Sequence, residues 1–422
     1  MNSTEAIEYI HSRLKFGINP GMERIEALCA ELGNPQDDLK FIHVAGTNGK
    51  GSTSTMIASA LTSAGYKTGL FTSPYVIDFR ERIQIDNEMI SPYDLAKTVE
   101  EVKAACERIE KDGIVPTEFE TITAAAFLFF KNSACDVVVL EVGLGGLLDS
   151  TNIIKTPLVS VITSVSMDHT AVLGTTIEKI AAQKSGIIKP GGVTVMYPEQ
   201  HPLSEAVIRR TAKAQDNRLV VPELRDCDIA GESITGTEVI FDGLRLHIPF
   251  AGQHMVKNAV TAVCALRECG LEVSDRQIAD GISKAVMPAR MEVLGGGRVV
   301  LDGGHNEGCA GALKEFVKKF IPGPKTAVCA LMGDKDCETY LKITAPMFNK
   351  MYLTAPENPR SMKPEDLCLL ARKYCDDCTA VSSPLEACRA ALEDLKANGG
   401  TLIVCGSFYL AGEVRDLLLK NF

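Results

Sequence analysis

A chain of 422 residues is more than one ordinary hydrophobic core encloses, so two domains are expected. A formal charge of -10 argues against nucleic acid as the main partner, and an anionic ligand would need local positive groups. With 45% hydrophobic and 23% charged residues, the composition is that of a globular protein.

The N-terminus, MNSTEAIEYIHSRLKFG, lacks a basic start followed by an apolar run, so no signal peptide is read there. The first strand-like run is Phe41 to Val44, leading into a Gly-rich loop. Ser52 to Ala64 follows as a helix with Met56, Ile57, Ala60 and Leu61 on one face. The best apolar segment, Ala124 to Phe130, stops at Lys131 and is too short to span a bilayer. No membrane partner and a cytoplasmic location are therefore expected. Asp136 to Glu141 and Leu158 to Thr163 are further apolar strands. Such strands alternating with helices indicate a parallel sheet covered on both faces. From Val193 to Pro249 the chain reads as β-rich, with a hairpin over Glu238 to Gly243, and then a helix over Met255 to Gly270. Val286 to Gly297 is rich in turn residues and ends in three glycines, which favours a linker. Beyond it strands are expected at Arg298 to Leu301, Thr326 to Leu331, Met351 to Thr354 and Thr401 to Cys405. The expected division is residues 1–294 as a larger, mostly parallel P-loop-type domain and 295–422 as a smaller Rossmann-like α/β domain. The 14 cysteines sit mostly in apolar runs and read as buried thiols. Cys375 and Cys378 form a CxxC with no second pair nearby, so zinc is not expected.

The loop after Val44 reads Gly46-Thr-Asn-Gly-Lys-Gly-Ser52. The usual Walker A pattern places four residues between its first glycine and the Gly-Lys pair, and Ser or Thr directly after the lysine. Here only Thr47 and Asn48 intervene, and Gly51 displaces the hydroxyl to Ser52. A strand, a loop of small residues and a helix N-terminus still present several backbone N–H groups to an anion. Lys50 adds a charge able to reach β- and γ-phosphates, and Ser52 and Thr53 offer hydroxyls. Glu141, closing its strand, fits the carboxylate that phosphate-loop enzymes use to hold Mg²⁺, or else caps the following turn. His169, beside Asp168 just past the next strand, is either a structural residue or a ligand in the same crevice. Lys184 passes as a surface lysine by composition. Asp302 ends a strand and opens the Gly-rich turn Asp302-Gly-Gly-His305-Asn306, a ligand position in an α/β domain where Arg290 could neutralise phosphates; the alternative is a salt-bridged linker.

Taken in order, these segments resemble folylpolyglutamate synthase, including its bacterial bifunctional form that is also dihydrofolate synthase, within the Mur ligase superfamily. The resemblance runs through Gly46 to Ser52, Phe71-Thr-Ser-Pro74, Phe79-Arg-Glu-Arg82, Glu141-Val-Gly-Leu-Gly-Gly146 and Leu148-Asp-Ser-Thr-Asn152. It continues through Asp168-His169, Lys184-Ser-Gly-Ile-Ile-Lys189, Asp302-Gly-Gly-His-Asn306, Asp334-Lys-Asp336, Pro356-Glu-Asn-Pro-Arg360 and Gly406-Ser407. It implies that Asn48, Gly49, Lys50, Gly51, Ser52, Asn258, Arg290 and Asp302 contact ATP, clamped between the domains. It implies that Ser73, Glu141 and His169 ligate Mg²⁺, with two metal sites in all, and that Lys184 is carboxylated to a carbamate. Lys50, Lys184 and His169 form its catalytic set. The pterin-binding segment corresponds to Thr117, Glu118, Phe119 and Glu120, with Phe119 offering a face for stacking. Departures from the family pattern are Leu147 where an arginine is common, Met255 after His254, Met291 within Ala289-Arg-Met-Glu292, and Glu307.

The implied reaction is an ATP-dependent amide ligation by a monomer. A folate or dihydropteroate carboxylate attacks the γ-phosphate to give an acyl phosphate and ADP, and the amine of L-glutamate then displaces phosphate. Two anions meet in the first step, so Lys50 and Mg²⁺ are required to neutralise them. One rival is a Mur-type ligase acting on another acceptor. It would carry a UDP-sugar domain for which the roughly 40 residues before the loop leave too little chain. A non-catalytic nucleotide-binding protein is the other rival, opposed by the presence of Lys50, Glu141 and His169 together.

Overall fold

Strong local signals account for most of the helices. Asn2, Thr117 and Ser274 each close a capping box at the start of theirs, and Ser91 and Thr176 cap two more through their hydroxyls. The computed structural model describes residues 1–17 and 19–422. It is an α/β protein of two compact units. The first comprises Met1–Asp228, Ile240–His247 and Val256–Ala285, and the second Ile229–Val239, Ile248–Met255 and Val286–Phe422. Gly295 lies inside the second unit.

The first unit is built on eight strands: β1 (Phe41–Ala45), β2 (Thr68–Phe71), β3 (Ile83–Ile85), β4 (Glu88–Met89), β5 (Val137–Glu141), β6 (Val159–Ile162), β7 (Val193–Met196) and β8 (Arg218–Val220). Their order is β4-β3-β2-β5-β1-β6-β7-β8, parallel from β2 to β8 with an antiparallel edge at β3 and β4. Every residue of β1, β5 and β6 is buried, as expected for strands covered on both faces. Phe41, Phe71, Val138 and Leu140 pack with Phe127 and Phe130 from helix Glu118–Asn132 and with Leu95, Val99 and Val102 from helix Pro92–Ile109. Each large side chain buried there contributes about 1.5–3 kcal/mol. The apolar run Ala124 to Phe130 is thus core helix. Among the described residues no helix is long and apolar enough to cross a membrane.

The stretch from Val193 to Pro249 is less β-rich than its sequence suggests, because helix Pro202–Ala214 occupies part of it. Ser204, Val207, Ile208 and Ala212 bury one face at helical spacing. The hairpin is present. β9 (Cys227–Ser233), β10 (Gly236–Phe241) and β11 (Leu244–Ile248) form a three-stranded sheet in the order β11-β10-β9, with Asp242 and Gly243 between the last two strands.

The second unit contains β12 (Glu292–Leu294), β13 (Val299–Asp302), β14 (Lys325–Cys329), β15 (Lys350–Leu353), β16 (Cys378–Ala380) and β17 (Thr401–Cys405). The order is β12-β13-β17-β14-β15-β16, with only the β12 edge antiparallel. Its core joins Val300, Ala327, Cys329, Met351 and Ile403 to Leu313 and Phe316. Cys375 and Cys378 are buried there, and their thiols donate to the carbonyls of Phe348 and Cys375.

Candidate active site

The Gly46–Ser52 loop leaves the C-terminal end of β1 at the middle of the first sheet, between β5 and β6. Gly49, at φ 86°, caps helix Lys50–Ser63. A β-carbon there would lie 2.4 Å from Asn258 Oδ1, so the absence of a side chain is what lets Asn258 reach the loop. No acidic residue occupies the first turn of the helix, so no side chain of that turn opposes the anion its amide dipoles favour. Lys50 Nζ folds back and donates to Thr47 O at 3.4 Å. Ser52 is nearly buried, and Thr53 is wholly buried with its hydroxyl unpartnered.

The loop is stitched to the segment following β6. Thr47 N donates to Ser164 O at 2.7 Å, Ser164 Oγ to Asn48 O at 3.2 Å, and Ser166 N to Thr47 Oγ1 at 3.1 Å. That segment carries Asp168 and His169. His169 has φ 48° and caps a short helix; its amide donates to Asp168 Oδ1 at 2.8 Å, and its Nε2 lies 3.9 Å from the same oxygen.

Register places Glu141 opposite Val44, one residue before the end of β1. Its carboxylate is buried and accepts from Ser73 N at 3.1 Å. It overlies the loop, since a β-carbon at Gly51 would sit 3.5 Å from Oε2. Lys184 ends helix Ile177–Lys184, is 4% exposed, and donates through Nζ to Gly46 O at 2.7 Å. Burial, with the Lys50 ammonium adding to it, pushes its amine down from 10.5 to about 7. A lysine that reads as a surface residue is therefore a buried amine against the Gly46–Ser52 loop.

Thr117 to Glu120 open helix Glu118–Asn132. Phe119 packs on Phe71 at 5.9 Å between centroids and on Gly143, where a β-carbon would lie 2.4 Å from its Cζ. Glu118 lies 3.7 Å from Arg82. Glu120 is buried and occupied within the protein: Arg24 Nε donates to both oxygens at 3.0 and 3.1 Å, and Thr117 contributes its amide and hydroxyl at 2.7 and 2.9 Å. In the second unit Arg290 and Asp302 come together. Burial holds the Asp302 carboxyl above the usual range, and the Arg290 guanidinium opposes that rise.

Sequence reasoning assigned no role to Asp149, Thr151, His43 or Arg24. Asp149 is buried, accepts from Leu144 N at 2.7 Å and Thr151 Oγ1 at 2.5 Å, and lies within electrostatic reach of both Lys50 and Lys184. Thr151 Oγ1 in turn meets His43 Nε2 at 2.9 Å. Because the hydroxyl donates to Asp149, it accepts from His43, which is neutral and protonated on Nε2. Burial lowers this imidazole to about 3. The signal available was Asp149 within the Leu148 to Asn152 motif.

The Gly46–Ser52 loop, the Glu141 carboxylate and the Lys184 amine lie together at the end of β1, and comparison with known proteins gives the class. Residues 44–266 match the Mur ligase middle domain, and 289–408 match the Mur ligase glutamate ligase domain. The chain is 34% identical to dihydrofolate synthase/folylpolyglutamate synthase of Bacillus subtilis, across 98% of each chain. It is 34% identical to folylpolyglutamate synthase of Lacticaseibacillus casei, across 99% of each. Among solved structures, Mycobacterium tuberculosis folylpolyglutamate synthase complexed with ADP superposes with a TM-score of 0.90 at 29% identity, covering 99% of this chain and 98% of that one. Escherichia coli FolC in complex with DHPP and ADP gives 0.87 at 29%, covering 100% and 98%. The chain belongs to the folylpolyglutamate synthase/dihydrofolate synthase family.

Proposed function

We propose that Asn48, Gly49, Lys50, Gly51 and Ser52 receive the phosphates of ATP, with Asn258, Arg290 and Asp302 as further contacts. The chain is an ATP-dependent ligase that joins L-glutamate to a folate by an amide bond. The observation that carries the site assignment is the packing of Gly49, Lys50, Glu141 and Lys184 around one helix N-terminus. A carboxylate is a poor electrophile and ATP a crowded anion. Lys50 and the loop amides neutralise the γ-phosphate as the folate carboxylate attacks it, giving an acyl phosphate and ADP. The amine of glutamate then attacks the acyl carbon and phosphate departs. Phe119, standing on Gly143, offers its ring to the pterin, with Thr117, Glu118 and Glu120 shaping that segment.

Glu141 and Ser73 supply oxygen donors that suit Mg²⁺, and His169 lies on the segment bonded to the loop. Among the described residues no group of three His, Cys, Asp or Glu is arranged to hold a metal; Glu141, Ser73 and His169 would hold Mg²⁺ together with oxygens from outside the chain. Bound there, Mg²⁺ supplies positive charge to the β- and γ-phosphates. The neutral fraction of Lys184 has the lone pair needed to form an N–C bond to CO₂; one amine proton is released to solvent, and the product is an anionic carbamate able to act as an oxygen ligand. The reading further carries a monomer in the cytoplasm, which sedimentation and cell fractionation test.

The deciding experiment is mass spectrometry of products after incubation with ATP, Mg²⁺ and glutamate, with dihydropteroate and tetrahydrofolate offered separately. A gain of one glutamyl residue with stoichiometric ADP is expected. Absence of glutamate-dependent ADP release with either acceptor would favour the non-catalytic nucleotide-binding alternative.

A further inference from the structure

Arg290 sits in an unusual piece of backbone. Its neighbours Ala289 and Met291 have φ of 54° and 48°, both are buried, and neither is glycine. A β-carbon makes this left-handed region unfavourable, and residues held there persist only where their surroundings over-determine them. The surroundings can be named. Glu292 Oε2 accepts from Ala289 N at 3.0 Å, Asp302 Oδ1 accepts from Met291 N at 3.2 Å, and Gly303 N donates to Ala289 O at 2.8 Å. Glu292 is itself gripped by Arg415 from helix Phe408–Asn421, through Nε at 3.0 Å to both oxygens and Nη2 at 2.6 Å. That pair is largely buried, with side chains 20% and 16% exposed, so it is poorly screened and geometrically strict.

The bend presents the Arg290 guanidinium 4.3 Å above the ring of Phe408. The platform is fixed as well: a β-carbon on Gly303 would lie 2.1 Å from Phe408 Cδ1, so the ring rests directly on the Gly303 backbone. A long, flexible side chain is thereby held in one place before any ligand arrives, which reduces the ordering cost of binding.

We infer that Glu292 and Arg415 are positioning residues: they hold the strained 289–292 bend so that Arg290 stands ready on Phe408 to receive the nucleotide. The inference rests on the reading of Arg290 as an ATP contact.

The test compares R415K, R415M and R290A by KM for ATP, kcat and Tm. R415K keeps a positive charge beside Glu292 but loses the two-nitrogen grip. Its Tm is expected to stay near that of the parent while KM for ATP rises about five-fold, with kcat changed less than about two-fold. R415M is expected to raise KM for ATP about ten-fold and to lower Tm. If both leave KM for ATP unchanged while R290A raises it, the bend is merely structural and the inference is overturned. If R290A itself leaves KM for ATP unchanged, the ATP reading of Arg290 fails and takes the inference with it. R415K keeps the test decisive should R415M not fold.

Discussion

Replacing Lys184 by methionine should change stability with a sign that depends on pH. In the unfolded chain this amine titrates near 10.5, and in the fold near 7, because burial disfavours the ammonium. Between those values the unfolded state binds the extra proton, so native stability rises with pH. Below pH 7 the mismatch costs the parent about 5 kcal/mol, and above 10.5 it costs nothing. Methionine removes that burden but leaves Gly46 O without its donor, a loss of about 1–3 kcal/mol. K184M should therefore be more stable than the parent by about 2–4 kcal/mol at pH 6 and less stable by about 1–3 kcal/mol at pH 10.5. The two stability curves should cross between about pH 8 and 10. Urea unfolding in CO₂-free buffer at intervals from pH 6 to 10.5 measures this directly. A constant offset between parent and variant over that range would refute the depressed amine and, with it, the route to a carbamate at neutral pH. In ¹³C-bicarbonate the parent, but not K184M, should show a carbamate resonance.

K50A should lower glutamate-dependent ADP formation by about a thousand-fold or more with Tm nearly unchanged, since Lys50 Nζ makes only a long bond to Thr47 O. R24M, which strands the buried Glu120 carboxylate, should cost about 3–5 kcal/mol in chemical denaturation, and R24M/E120Q should recover part of it. G143A drives a β-carbon into the Phe119 ring, so KM for the folate acceptor should rise about ten-fold while KM for ATP stays constant in initial-rate assays. His43 titrates lower in the fold than in the unfolded chain, so its contribution is present above pH 6.5 and is lost as pH falls towards 3. H43Q keeps a donor for Thr151 and should remove about 3 kcal/mol of the parent's stability loss between pH 6.5 and 4.

The strand–loop–helix placement of Gly46 to Ser52 was readable from residue order because a turn that exposes backbone amides must use small residues. Strand ends were readable for a similar reason: a carboxylate closing an apolar run, as at Glu141, stands out against its neighbours. Lys184 did not stand out. Nothing in Ile180-Ala-Ala-Gln-Lys184 signals burial, and its lowered amine arises first from that burial and then from Lys50, which lies far away in the chain. Glu120 shows the opposite effect. As part of the Thr117 to Glu120 motif it reads as a ligand-facing group, yet Arg24, 96 residues away, and Thr117 already occupy its oxygens. The β-rich impression of residues 193–249 failed where helix Pro202–Ala214 found an apolar face to bury.

Local rules settled the alternation of strand and helix, the caps, the loop and the order of motifs, because each depends on neighbours a few residues apart. The pKa of Lys184, the engagement of Glu120, the His43–Thr151–Asp149 chain and the glycine-free bend around Arg290 were decided by packing. Desolvation and charge pairing act through space, between residues that the sequence separates and the sheets bring together.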